Sequence, residues 1–213
     1  MDWNEILQWS QKGFIASCAL VVQMVLSLAA DQLTATQRVP DLRSKLVNQH
    51  VGTEELAVYR AFLQSWFGRA NKPINLSVRT EAVGEGLGHE DCYKGLALEP
   101  ASSDPHLFRA DDLDALGPYH FHLVDPREQT KAVEENDPWN GIRKGQPVDA
   151  AVENGIAHGL FTLGAIRFNR SHTLAVIAFS FHCGDLCGNG GTVLLKKVNG
   201  GWRRRELCGQ WVS

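Results

Sequence analysis

The hydrophobic positions of this chain change their spacing more than once, and each change predicts a different element. After Thr53, the apolar residues Leu56, Tyr59, Leu63, Trp66 and Phe67 recur at helical spacing, which gathers them on one face. Thr53 stands where an N-cap is expected, and Glu54 and Glu55 place negative charge at the positive end of the helix dipole. Gly68 and Pro73 stop this helix. Alternation follows: Ile74, Leu76 and Val78 against Asn75, Ser77 and Arg79, the signature of a half-buried strand.

The two signals then interleave to the end of the chain. Tyr119 to Val124 predicts a second short strand. Asp125 and Pro126 cap and open a helix running to about Asn136-Asp137-Pro138. Val148, Ala151, Val152 and Ile156 predict a helix between Pro147 and His158, closed by Gly159. Strands are expected at about 160–168, 173–182, 191–198 and 202–207. In the second of these, Leu174, Val176 and Ala178 face one way and Ala175, Ile177 and Phe179 the other. A strand apolar on both faces belongs in the middle of its sheet. Asn199-Gly200-Gly201 supplies the positive φ angles of a tight hairpin. Helices first and a β-meander last define an α+β class, with helices packed on a curved antiparallel sheet.

The N-terminal stretch has a different character. Phe14 to Ala30 is apolar apart from Ser17, Gln23 and Ser27, with Lys12 before it and Ser27-Leu28-Ala29-Ala30 offering a cleavage site. This predicts a leader over residues 1–30, either a cleaved signal or an uncleaved anchor, ahead of one α+β domain over 31–213. Any association with a membrane would then run through an uncleaved leader alone. Residues 81 to 91 are a glycine-bearing acidic loop: Gly84, Gly86 and Gly88 lie among Glu81, Glu85, Glu90 and Asp91. The acids would repel a phosphate and no helix opens behind the glycines, so the loop is not a nucleotide site.

Charge narrows the function classes. The formal net charge is −3, and the one tight basic run, Arg203-Arg204-Arg205, lies between Trp202 and Glu206. A nucleic-acid surface needs a broader basic footprint, so the run reads as the solvated edge of a last strand.

Five cysteines are present. Loss of Cys18 with the leader leaves the even set Cys92, Cys183, Cys187 and Cys208, which outside the cytoplasm reads as two disulfides. Four cysteines allow three pairings. Cys183 and Cys187 flank one tight turn, within disulfide reach, and that pairing leaves Cys92 for Cys208. A redox pair normally has two intervening residues and a helix N-terminus. Cys183 and Cys187 have three, between strands, so a structural staple is favoured.

The pieces Cys92-x-Lys94-Gly95, Leu123-Val124-Asp125-Pro126 and Asn136-Asp137-Pro138 carry a further signal. So do Gly159-Leu160-Phe161-Thr162-Leu163, Cys183-Gly184-x-Leu186-Cys187-Gly188-x-Gly190 and Cys208-Gly209-x-Trp211-Val212-Ser213. Together they resemble a family of uncharacterised secreted bacterial proteins, over a little more than half of the chain. The resemblance implies an extracytoplasmic, periplasmic or secreted location and a shared fold. It implies no activity.

No catalytic residues are assigned and no cofactor is expected. His182 beside Cys183, with His120 and His122 on one strand face, could supply zinc ligands only if the two segments met. His182, Asp185 and Cys183 could form a hydrolytic centre only if the thiol were free. The favoured class is a non-catalytic domain that binds a small ligand or a protein partner. The alternative is a redox, metal-binding or hydrolytic protein using the Cys183/Cys187 turn with His182. A deep apolar cavity lined by Phe and Trp favours the first; a free Cys183 favours the second.

Overall fold

The apolar stripe after Thr53 forms α1, Thr53–Phe67, in a computed structural model that describes residues 49–68, 72–81, 93–100, 102 and 104–213. The expected leader, Cys92 and most of the acidic glycine loop lie outside the described residues. The cap of α1 is Gly52, one residue earlier than the sequence suggested, and Thr53 opens the first turn. Glu55 explains the shift: its carboxylate accepts the Gly52 amide at 2.7 Å, satisfying a donor that a serine or threonine cap would otherwise serve. At the other end the Tyr119 hydroxyl donates to the carbonyls of Leu63 and Gly68, at 3.3 and 3.2 Å. Val58, Tyr59, Phe62 and Leu63 are fully buried.

Among the described residues seven strands form one sheet. They are β1 (Ile74–Ser77), β2 (Phe121–Val124), β3 (Leu160–Leu163), β4 (Arg167–Phe168), β5 (Leu174–Gly184), β6 (Cys187–Val198) and β7 (Gly201–Val212). The order is β2-β1-β3-β5-β6-β7, with β4 also on β5. Most pairings are antiparallel and the chain ends in the β5-β6-β7 meander. β1 departs from this by pairing in parallel with both β2 and β3. Parallel neighbours need crossover connections. The β1–β2 connection includes α2 (Asp112–Leu116). The β2–β3 connection carries three helices: α3 (Pro126–Glu135), α4 (Pro138–Arg143) and α5 (Val148–His158). Asp125 caps α3 by accepting the Arg127 amide at 2.8 Å. Among the described residues no helix is long and apolar enough to cross a membrane.

The glycines after Cys187 lie inside a strand and not in a turn. β6 starts at Cys187 and pairs Gly188 with His182 and Gly190 with Ser180. A Cβ on Gly190 would stand 2.6 Å from Trp211 Nε1 and 2.7 Å from the Phe179 carbonyl oxygen. The tract is therefore glycine so that the Trp211 indole can lie against β6. The second hairpin turns where expected, with φ of 51° at Asn199 and 81° at Gly200. The three arginines are exposed on β7, at one edge of the sheet.

The main core lies between α1 and one face of the sheet. Phe179 is its centre: its ring is 4.8 Å from Phe62, 4.4 Å from Trp66 and 6.2 Å from Phe161. Ala175, Ile177, Val193 and Leu195 continue the face. The buried Tyr59 hydroxyl donates to the Gly164 carbonyl at 2.9 Å, so the helix is tied to the sheet by a polar bond inside an apolar layer. Val176, Ala178 and Leu194 alternate onto the opposite face and are buried as well. β5 is central, as its two apolar faces require.

Two ion-pair clusters fasten the first turn of α1. Glu54 accepts from Lys197 Nζ at 2.9 Å and lies 2.8 Å from His172 Nδ1. Glu55, besides holding Gly52, lies 2.9 Å from His106 Nδ1. His172 adopts φ 50° in the Asn169–Thr173 turn and stacks on Phe168. The hydrogen bond from Lys197 and then that from His172 hold the Glu54 carboxyl below its ordinary value near 4.5.

Two expectations follow. Phe179→Ala should lower stability by about 3–5 kcal/mol, because the cavity it leaves is walled by three aromatic rings that cannot collapse inward. An unchanged urea midpoint would contradict this core. Glu54→Gln should destabilise at neutral pH, and the difference from wild type should fade on acidification. A carboxyl with a depressed folded pKa contributes fully above its unfolded value and loses that contribution as pH falls through the folded one. The urea midpoints of the two proteins should converge below about pH 4. A gap of constant size across that range would show that charge is not the cause.

Candidate functional site

The tip of the β5–β6 hairpin carries the cysteine pair. Cys183 and Cys187 are disulfide-bonded with Cα atoms 5.0 Å apart, inside the span a disulfide requires. The ladder shifts register between His182 and Gly184, so the tip is bulged and the bond closes it. Cys183 is buried. Cys208, on β7, is buried and disulfide-bonded too; Cys92, the partner expected for it, lies outside the described residues.

The histidines weighed as metal ligands do not meet. His122 pairs with Asn75, Asn75 with Leu160, and Leu160 with His182. That places His122 and His182 on one row but three strand spacings apart, about 14 Å, too far to share an ion. His182 alternates to the face opposite Phe181. Among the described residues no group of three or more His, Cys, Asp or Glu is placed to hold a metal ion. The two carboxylate–histidine pairs at α1 have the composition of acid–base dyads, but Glu54 is shared with Lys197 and Glu55 with the Gly52 amide. They are helix fastenings.

The hairpin tip does form one wall of a groove. Its other wall is α4 and α5. A cavity of about 340 Å³ lies between them, bordered by Asp137, Trp139, Ile156, Phe181, Leu186 and Val212. A second cavity, about 190 Å³, adjoins it toward α1 and is lined by Trp66, Phe67, Phe161 and Lys72. The two share Ile156, Phe181 and Asn189. Of the large hydrophobic residues exposed among those described, Trp139, Ile156, Leu186 and Val212 all border the first cavity. Apolar surface gathered at one concave place marks a binding site more often than scattered exposure does.

Local sequence builds this groove. Asp137 precedes Pro138 and accepts the Trp139 amide at 2.9 Å, which starts α4 immediately after α3 and presents Trp139. Gly155 lets α5 lie close to the hairpin: a Cβ there would stand 2.5 Å from Pro138 Cγ and 3.1 Å from the Cys183 carbonyl oxygen. Asn189 faces Phe181 across the β5–β6 ladder. Its Oδ1 is buried and is the one buried side-chain oxygen or nitrogen without a hydrogen-bond partner among the described residues.

A third, smaller pocket of about 130 Å³ lies over Thr162, Ala178 and Ser180, with Glu81 and Trp211 at its margin. Glu81 is exposed as a residue, yet its surroundings desolvate the carboxyl group and push it above its ordinary value. Thr162 and Ser180 bring hydroxyls to the same pocket, and among the described residues no second acid lines it.

No family model, curated protein or solved structure matches this chain. The site is therefore defined by its own geometry. Of the residues read from the sequence, Cys183 and Cys187 border the groove. Trp139, Asp137, Ile156 and Asn189, which shape it, were not singled out for chemistry. The Asp137-Pro138 pair and the placement of Trp139 after it were the signal available.

The disulfide closes a very short loop, so in the chain-entropy picture it contributes less than the roughly 3 kcal/mol of a 15-residue loop. Cys183→Ala with Cys187→Ala should therefore give a folded protein with a modest fall in its denaturant midpoint. Complete loss of the folded baseline would show that the hairpin depends on its tip.

Proposed function

We propose that this chain is a non-catalytic, extracytoplasmic binding domain whose site is the groove between the hairpin tip and helices α4 and α5. The observation that carries this reading is the pair of adjoining apolar cavities meeting at Ile156, Phe181 and Asn189, with exposed Trp139, Ile156, Leu186 and Val212 gathered at the larger of the two. The aromatic lining, with Trp139 and Phe181 in one cavity and Trp66, Phe67 and Phe161 in the other, is what a binding site needs and a thiol centre does not.

The location rests on two supports. The Cys183–Cys187 disulfide fits an oxidising compartment. The cysteine-hairpin motif resembles that of secreted bacterial proteins. The alternative of a hydrolytic centre draws no support from the tip, because both thiols are held in the bond; a redox pair would also be bonded when oxidised, but this tip lies between two strands and lacks the helix N-terminus that activates such a pair.

An uncharged fluorescent probe tests the site. N-phenyl-1-naphthylamine should bind the wild-type protein with a blue-shifted, saturable signal. Ile156→Asp changes an exposed groove residue, so the thermal midpoint should hold while probe affinity falls by about tenfold or more, the cost of a charge in an apolar wall. Equal affinity in both proteins would place the probe, and the site, elsewhere.

A further inference from the structure

The larger cavity is bordered by a carboxyl group, that of Asp137, which no lysine, arginine or histidine reaches among the described residues. Asp137 is 6% exposed and borders that cavity. Its Oδ1 accepts the Trp139 amide at 2.9 Å. Among the described residues its side chain has no other partner: no lysine, arginine or histidine reaches it. Buried carboxylates are normally paired, because the loss of hydration is costly without a counter-charge. Lys72 lines the adjoining cavity, but it is exposed and bonded to Glu153 at 3.3 Å.

Among the described side chains that border this cavity, Asp137 is the one ionisable group. The remaining surface is largely apolar, with Trp139 and Phe181 among its aromatic members. Aromatic faces attract cations as well as covering apolar ligands. An anionic ligand meets an acid there, and a plain hydrocarbon leaves that acid without a counter-charge.

From this we infer that the groove takes a small primary amine with an aromatic or branched apolar body, its ammonium on Asp137 and its body against Phe181 and Ile156. The inference rests on the binding reading given above and specifies the ligand class. No covalent step is involved. Asp137 has two roles in it. As N-cap of α4 it sets Trp139 in the groove wall, and as the buried anion it selects the charge of what enters.

Three probes that share a phenylethyl body separate the contributions: 2-phenylethylamine, 2-phenylethanol and 3-phenylpropanoate, measured by isothermal titration calorimetry at neutral pH on the full chain. The amine should bind about tenfold or more tightly than the alcohol, as a charge-assisted hydrogen bond does relative to a neutral one, and the acid should bind most weakly. Asp137→Asn keeps a capping side chain and removes the charge, so it should bring the affinity of the amine down to that of the alcohol.

Equal affinity of amine and alcohol for the wild-type protein overturns the inference, and this ranking needs no variant to fold. An amine preference that survives in folded Asp137→Asn overturns it too. If none of the three probes binds while N-phenyl-1-naphthylamine does, the amine inference fails and the groove reading stands. If N-phenyl-1-naphthylamine fails as well, the groove reading itself falls.

Discussion

The burial of β5 on both faces is the constraint on which the rest of this structure depends. One strand of 11 residues supplies the floor of the α1 core through Ala175, Ile177 and Phe179 and an opposite buried layer through Val176 and Ala178. It also pairs with β3, β4 and β6. Apolar burial contributes about 25 cal/mol per Å², and an aromatic side chain such as Phe179 removes an area on the order of 150–250 Å² from water. No exposed ion pair here approaches that, since such pairs contribute about 0–1 kcal/mol. The Glu54 and Glu55 clusters therefore orient α1 on a core that already exists. They do not hold the fold together.

Because β5 is fixed along its first half, its far end can carry a site. Phe179 is enclosed by rings, but Phe181, two residues on and on the same face, is only partly covered. Past it the main core gives way to cavities bounded by α4 and α5. The disulfide sits at this boundary, where ladder and core both end. A bond between Cys183 and Cys187 adds little to global stability, yet it fixes the bulged tip against which the groove is formed. In the binding reading proposed above, a rigid wall lowers the ordering cost of binding.

Much of this was legible in the sequence. The α1 stripe, the Asp125-Pro126 cap, the central β5 and the Asn199-Gly200 turn are all local patterns, and each appears where its pattern puts it. What was not legible is non-local. Alternation in Ile74–Ser77 marks a strand but carries no information about its neighbours, so the parallel pairing of β1 with β2 and β3 could not be read. The Gly188–Gly191 tract looks like turn punctuation, because the reason for it, the Trp211 indole from another strand, lies some twenty residues away. The six residues of α4 include Asn140 and Gly141, poor helix formers, and the helix exists because Asp137 caps it and α5 packs on it. The site inherits this blindness: its walls come from two helices and a hairpin tip that only the fold brings together.

Asp137 shows why the polar members of such a site resist recognition. In the sequence an Asp before a Pro is a helix start, and here it is one. The cap accounts for one of its two carboxylate oxygens. Exposed N-caps keep the other oxygen hydrated at no cost, whereas this residue as a whole is buried beside an apolar cavity. An asparagine could cap α4 as well without bringing a charge into the interior. The cap explains a short polar acceptor at position 137; it does not explain why the acceptor is anionic. In the amine reading proposed above, the charge at this position selects the guest.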